Sequence, residues 1–370
     1  MQGNIRGNRQ KLKNDCIVMI GPDHKSKGGI ASVIASYRNA GFFEKWPVVF
    51  LPTHVEGNKL DKLVCAIKAI CRFANLLICR KAGALHVHVA RRNSFWRKAI
   101  FMQLAFIANC PVLIHLHSGG FPAFYNQECG ALQKWLIRHF LGRALALIVL
   151  TESWQDAYVD FMPNQLLVLP NFVELAPLKS ASKENPYTLL FLGRLTHEKG
   201  VFDLLQAVSI LVKNNYPDLI VRLGGEGFSD EIESILNNLN ILNNVKFEGW
   251  VEGEKKANLL NDNSIFVLPS YVEGLPMGVL EAMSNCLPVV VTRVGGLPDM
   301  ITDGVNGLMI EPGDIAGLVT QLDRLLSDSK LRNQLAMAGR KCIEDRYCAN
   351  AVIPILENLY SSLGIEPYPS

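Results

Sequence analysis

The sequence predicts an α/β protein built of two doubly wound, Rossmann-like domains that face each other across a cleft. Three observations carry this expectation. Apolar runs of about five or six residues alternate with helix-length stretches, and the runs are apolar on both faces, as in a parallel sheet covered by helices on both sides. The alternation breaks once, at PNFVELAPLKSASKENP (170–186), which has three prolines and no periodicity, and then restarts. The chain has 370 residues, beyond the roughly 250–300 at which a single core stops growing.

In order, CIVMIG (16–21) is a buried-strand run, followed by the glycine-bearing loop PDHKSKGG and the helix IASVIASYRNAG. WPVVFLPT (46–53) is a second strand, 60–79 an amphipathic helix, LHVHVA (85–90) a third strand and 95–109 a helix. VLIHLH (112–117), LALIVLT (145–151) and QLLVLP (165–170) complete the first set. After the break come strand 187–193, helix 200–214, strand 219–225, helix 229–240, strand 245–251, helix 254–262, SIFVLPS (264–270), helix 276–284, strand 288–292, strand 308–314 and helix 315–327. The expected boundaries are an acceptor domain over 1–170, a linker over 171–186 and a donor domain over 187–350. The expected tail, 351–370, packs back on the first domain.

Composition narrows the class. Hydrophobic residues make up 49% and charged residues 19%, enough apolar material for large cores and unlike a disordered chain. MQGNIRGNRQKLKND has no apolar segment of the signal-peptide kind, and AIFMQLAFIANCPVLI (99–114) is interrupted by Asn109 and Pro111, short of the roughly 20 apolar residues a membrane span needs. Nine cysteines without a CxxC pair point to a reducing cytoplasm, with neither a disulfide framework nor a structural zinc site. The net charge of +3 divides unevenly. Residues 1–170 hold 21 basic and 9 acidic side chains, and residues 171–370 hold 16 and 25. One half therefore favours an anionic partner: nucleic acid, a lipid surface or a phosphorylated substrate.

The chemistry-bearing residues fall just past strand ends, where open α/β sheets bind ligands, so the cleft between the two domains is the expected site. In LGRLTHEKG, Arg194 can grip phosphate in bidentate fashion and Lys199 adds a point charge, together enough to neutralise a diphosphate without a metal. GGEGF supplies Gly225 and Glu226, although it also suits a plain tight turn. Trp250 and Val251 end another strand. EGLPMGVLE (273–281) places Glu273 after a strand and Glu281 about two turns into a helix, and the loop of Gly274, Leu275, Pro276 and Met277 presents the N–H groups of its non-proline residues where the dipole favours anions. In the first half, Gly28 and Gly29 follow the first strand, and His117, Ser118 and Gly119 the fourth. RRNSFWRK (91–98) sets four cations around Phe95 and Trp96, either a solvated helix start or a pyrophosphate or membrane-surface contact that would use Arg92 and Trp96.

LGRLTHEKG, GGEG, GWV, EGLPMGVLEAM and TRVGGLPDMITDGVNGLMIEPGD, in that order, closely resemble the donor domain of the retaining GT-B glycosyltransferases of family 4. The GGI loop and HLHSGG look like that family's acceptor-domain elements, and the resemblance covers 15–350. It implies that Glu273 contacts the transferred sugar and Glu281 the ribose, that Arg194 and Lys199 hold the diphosphate, and that Trp250 and Val251 flank the base. His117 matches the acceptor-domain histidine near the reacting sugar. It further implies a UDP- or GDP-linked sugar donor, no metal, and transfer with retained configuration to a polyprenyl-diphosphate-linked saccharide. The setting would be surface-polysaccharide assembly at the inner face of the cytoplasmic membrane. No enzyme nucleophile is implied; positioning and charge stabilisation would do the chemistry, with the leaving phosphate helping to deprotonate the acceptor. Other readings are a GT-B nucleotide-sugar epimerase, for which no acid/base set is evident, and a nucleic-acid binder, which would leave the strand-end residues unexplained. A dinucleotide dehydrogenase is disfavoured because the first strand runs into GPDHKSKGG, not GxGxxG.

Overall fold

The computed structural model describes residues 16–161, 163–177 and 187–369. The polar N-terminal stretch and most of the expected linker lie outside the described residues. The chain divides into two compact units, Met1–Leu169 with Ile353–Ser370, and Pro170–Val352.

The first unit is built on six parallel strands: β1 (Cys16–Pro22), β2 (Val48–His54), β3 (Ala82–Val89), β4 (Val112–Leu116), β5 (Ala146–Val149) and β6 (Leu166–Val168), in the order β2-β1-β3-β4-β5-β6. The direction of winding reverses between β1 and β3, and a doubly wound sheet binds ligands at the carboxyl ends beside that reversal. Central strands β1 and β3–β5 are buried almost throughout, which explains why they carry apolar runs instead of alternation. The helix Ala349–Ser362 starts in the second unit, and from Ile353 on its residues belong to the first. Tyr360 is fully buried there, and Glu357 accepts from Trp46 Nε1 at 3.0 Å and pairs with Lys45 at 2.7 Å.

The second unit holds β7 (Thr188–Leu192), β8 (Ile220–Gly224), β9 (Val245–Gly249), β10 (Ile265–Leu268), β11 (Val289–Thr292) and β12 (Leu308–Ile310), all parallel, in the order β12-β11-β10-β7-β8-β9. Numbered from its own first strand this is the 3-2-1-4-5-6 dinucleotide-fold order, with the reversal between β7 and β10. The expected α/β architecture of two Rossmann-like domains is therefore present.

Some helices escape the sequence pattern. Ala131–Arg143 and Ser329–Cys342 are both helical. In the first, Leu132 (70% exposed) and Trp135 (61%) stand on the outer side, which blurs the one-sided periodicity that marks a surface helix. No helix among the described residues is long and apolar enough to cross a membrane.

Candidate active site

In the second unit, the loops after β7 and β10 flank the winding reversal and carry the key side chains. Gly200, at φ 69°, ends the short turn His197–Lys199 and opens the helix Val201–Asn214. A Cβ there would run into the Pro269 carbonyl, so only glycine lets the two loops approach this closely. The closeness brings Lys199 Nζ to 2.6 Å from Glu273 Oε1. Ser270 Oγ donates to the same oxygen at 2.8 Å, and Thr292 Oγ1 donates to the Ser270 carbonyl at 2.5 Å. Glu273 is only 6% exposed and Lys199 26%. A buried carboxylate is tolerable when paired and hydrogen-bonded in this way. The same packing recurs at Gly225, φ 153°, where a Cβ would strike the Gly193 carbonyl, and at Gly295, where it would strike that of Glu273.

The helix of the EGLPMGVLE segment is Met277–Ser284, with Pro276 at its N-cap. Glu281 therefore sits little more than one turn in, not two, because Gly274–Pro276 remain outside the helix. Both ends of the segment are fixed. Asn171 Nδ2 donates to the Leu275 carbonyl at 2.7 Å, and the buried Arg340 guanidinium donates to the Ser284 and Ala176 carbonyls and pairs with Glu344 at 2.8 Å. A cation at a helix C-terminus complements its exposed carbonyls. Glu281 Oε1 pairs with Lys256 Nζ at 2.6 Å. Arg194 and Glu226 are exposed, Val251 is buried, and Trp250 Nε1 donates to Glu252 Oε2 at 3.2 Å. The structure thus joins Lys199 to Glu273 directly, while Glu281 forms a second pair and Trp250 and Val251 stand at the end of β9.

In the first unit, Gly28 (φ 138°) caps the helix Gly29–Asn39. His117 continues β4 and lies with Ser118 and Gly119 ahead of the turn Phe121–Ala123. Its Nε2 is 2.8 Å from His88 Nδ1. Behind it stands a column of imidazoles on one face of β3 and β4: His86 stacks on His88 with ring centroids 4.6 Å apart, and His86 Nε2 and His115 Nδ1 are 3.4 Å apart. His86 Nδ1 meets the Tyr360 hydroxyl at 2.7 Å. Burial pushes His86 down to about 3 and holds His88 and His115 well below the ordinary histidine range, so all three are neutral near pH 7. One nitrogen of each lies within 4.8 Å of the others. A zinc ion bound at 2.0–2.1 Å needs nitrogens about 3.4 Å apart, and these rings stack side by side. The column therefore suits an uncharged support for His117 better than a metal centre.

Arg92 and Trp96 do not behave alike. Arg92 takes a left-handed backbone, φ 56°, at the start of the helix Asn93–Ile107, and forks onto Glu128 at 2.6 and 2.7 Å. Its guanidinium is thus committed to a protein carboxylate. Trp96 is half-buried, its ring edge-on to Phe95 at 5.2 Å.

Residues 174–342 match the family described as Glycosyl transferases group 1. An Escherichia coli UDP-Gal:alpha-D-GlcNAc-diphosphoundecaprenol alpha-1,3-galactosyltransferase is 25% identical over 338 residues, 85% of this chain and 84% of that protein. A glycogen synthase of Mycobacterium tuberculosis is 28% identical over 232 residues, 61% of this chain and 55% of that one. Among solved structures, sucrose-phosphate synthase from Thermosynechococcus elongatus superposes with TM-score 0.78 at 20% identity, covering 95% and 99% of the two chains. HepE of Anabaena in complex with UDP-glucose gives 0.74 at 18%, covering 93% and 99%. Residues 174–342 thus carry a glycosyl transferases group 1 domain, and the chain has the GT-B fold.

Three residues that contact the candidate site residues are not assigned to the site by the sequence. Lys256 belongs to the helix Gly253–Asp262 and reaches Glu281 only through the fold. Ser270 ends SIFVLPS, and its place three residues before a buried glutamate is the one local signal for it. His88 alternates with His86 along β3, a pattern that shows a shared face but not a partner.

Proposed function

We propose that this glycosyltransferase belongs to the retaining family 4 type and moves a sugar from a UDP- or GDP-linked donor to a saccharide carried on a polyprenyl diphosphate, in surface-polysaccharide assembly. The observation that carries the reading is the Lys199–Glu273–Ser270 set at the reversal of the 3-2-1-4-5-6 sheet, where this sheet type receives nucleotides. Arg194 and Lys199 hold the diphosphate, and the amides at the start of Met277–Ser284 add donors. Glu281, oriented by Lys256, accepts from the ribose hydroxyls. Glu273 orients the sugar. Its Oε1 already accepts from an ammonium and a hydroxyl, which suits a positioning group better than the free nucleophile of a retaining hydrolase. His117, set by His88, is the residue that the family resemblance assigns to the acceptor side. The diphosphate's charge is met by side chains, so no metal is required. Two relatives support the donor class: the E. coli protein is named for UDP-Gal, and the Anabaena structure holds UDP-glucose.

The acceptor side rests on the surface of the first unit. The helix Lys59–Ile78 exposes Leu60 (66%), Leu63 (56%), Val64 (39%) and Ile67 (49%) in one stripe, with Lys59, Lys62, Lys68 and Arg72 on the same helix. A stripe of this kind suits the interface of an anionic membrane, and the E. coli relative is named for a diphosphoundecaprenol substrate. The enzyme is proposed to act peripherally at the cytoplasmic face.

Thermal-shift screening of UDP-glucose, UDP-galactose, UDP-GlcNAc, GDP-mannose and dTDP-rhamnose with EDTA present tests the donor reading. One donor should raise the Tm, and the rise should vanish in Arg194→Ala and Glu281→Ala. No rise with any of them, with or without anionic vesicles, would overturn it.

A further inference from the structure

We infer that the first unit contains a buried seat for a phosphate or diphosphate group, built from Arg97 and Lys98, and that this seat holds the phosphorylated end of the acceptor. The second clause rests on the transferase reading above; the seat itself does not.

Lys98 is 1% exposed. Among the described residues its one hydrogen bond runs from Nζ to Ser94 Oγ at 2.7 Å. Arg97, beside it, is half-buried, and its Nε is buried with no hydrogen-bond partner among the described residues. Among the described residues no carboxylate pairs with either. Two adjacent cations withdrawn from water without a counter-ion are costly, because neither regains what it loses in solvation. Burial and Arg97 push the Lys98 amine down to about 7. A dianion between the two would remove that cost, and a guanidinium offers a fork that fits phosphate oxygens.

The surroundings fit the same ligand. Arg97 and Lys98 act electrostatically on His54 at the end of β2. The Asp23 amide donates to the His54 carbonyl at 2.8 Å, which ties the loop after β1 to this corner. That loop carries Ser26, itself buried, whose Oγ has no hydrogen-bond partner among the described residues, and it leads into the amino end of the 11-residue helix Gly29–Asn39, whose first amides favour anions. The nearby acids are occupied: Asp23 accepts from the Lys25 amide at 2.8 Å and Glu56 from the Lys27 amide at 3.2 Å. These groups gather at the carboxyl ends of β1, β2 and β3, beside the winding reversal of the sheet. Arg92, committed to Glu128, takes no part. Within RRNSFWRK the anion-binding cations are thus the last two, which the helix turns inward.

The test starts from a full-length Arg194→Ala/Lys199→Ala parent, in which the diphosphate seat of the second unit is disabled, and titrates it with inorganic pyrophosphate by calorimetry. Arg97→Gln or Lys98→Met added to that parent should weaken binding at least tenfold. Without pyrophosphate neither should lower the Tm, since each removes an unpaired buried charge. Arg97→Gln carries the test if Lys98→Met does not fold. A parent that does not bind pyrophosphate, or an Arg97→Gln variant that binds it equally well, overturns the seat. In transfer assays on the otherwise native chain, Arg97→Gln should raise KM at least tenfold for a diphosphate-linked acceptor and leave a neutral glycoside unchanged. An equal rise for both overturns the acceptor assignment. Comparison of a polyprenyl-diphosphate saccharide with a soluble sugar 1-phosphate shows which source supplies the group. If pyrophosphate binding behaves as expected but no acceptor is glycosylated, the seat stands and the transferase reading of the acceptor fails.

Discussion

The strand ends of the two units solve the problem of buried charge in opposite ways. In the second unit the two half-buried lysines of the candidate site each have a carboxylate: Lys199 faces Glu273 and Lys256 faces Glu281, both at 2.6 Å. In the first unit Lys98 and Arg97 share no carboxylate among the described residues, and three histidines are buried in the neutral state. The second unit is therefore charge-balanced before ligand arrives, and a nucleotide must compete with internal partners. The first unit keeps positive charge in reserve, so an anion there gains affinity at no cost in broken pairs. Preorganised pairs orient groups for a transition state, whereas an unpaired cation stores binding energy that a ligand releases.

The most severe way to break the comparison is Glu273→Ala. It leaves Lys199 without its partner and removes the group proposed to position the sugar. Turnover should fall by about 10²–10³, as for loss of one preorganised charge-stabilising contact, and stability by about 3 kcal/mol from the uncompensated cation; steady-state kinetics and denaturant unfolding measure both. Next comes Gly225→Ala, which drives a methyl into the Gly193 carbonyl at a φ of 153°. It should cost about 2–4 kcal/mol and weaken donor binding in calorimetry, while pyrophosphate binding at Arg97 and Lys98 stays intact.

The third test sharpens the first unit's side. His86 is neutral when folded, with its value pushed down to about 3, and ordinary when unfolded, near 6.5. Below pH 6.5 the unfolded chain binds a proton that the native chain refuses, so stability should fall as pH drops from 6.5 toward 3. By pH 5 His86 alone should contribute a loss of about 2 kcal/mol relative to pH 7.5. Urea unfolding at the two pH values measures it, and His86→Leu should show a smaller difference. The smallest effect is expected at Arg92–Glu128. This fork is solvent-exposed, 57% and 37%, so Glu128→Ala should leave the Tm unchanged within error and leave pyrophosphate affinity unchanged as well. A tenfold change in affinity would move the anion seat toward Arg92.

Much of the second unit was legible in the sequence because its site is local. LGRLTHEKG and EGLPMGVLE each carry their functional groups and their turn glycines within a few residues, and strand-end placement follows from the alternation of elements. What escaped was tertiary: Lys256 reaches Glu281 from a neighbouring helix. In the first unit the signal lies within a single helix. Phe95, Lys98, Ala99 and Met102 are all buried on one helix, and their spacing of three and four marks one face. A lysine in line with apolar neighbours is the anomaly that points to the seat. Arg92 was the more conspicuous residue, yet its left-handed backbone turns it toward Glu128.

The path of the chain also sets an order of events during synthesis. His86 waits for a partner, Tyr360, that lies 274 residues further along. At 5–20 residues per second the ribosome needs roughly 14–55 s to produce it. The second unit is one unbroken stretch, Pro170–Val352, and can fold while that interval runs. The unit translated first is therefore the unit finished last, and its histidine column stays open to chaperones or to misassembly until the helix bearing Tyr360 emerges.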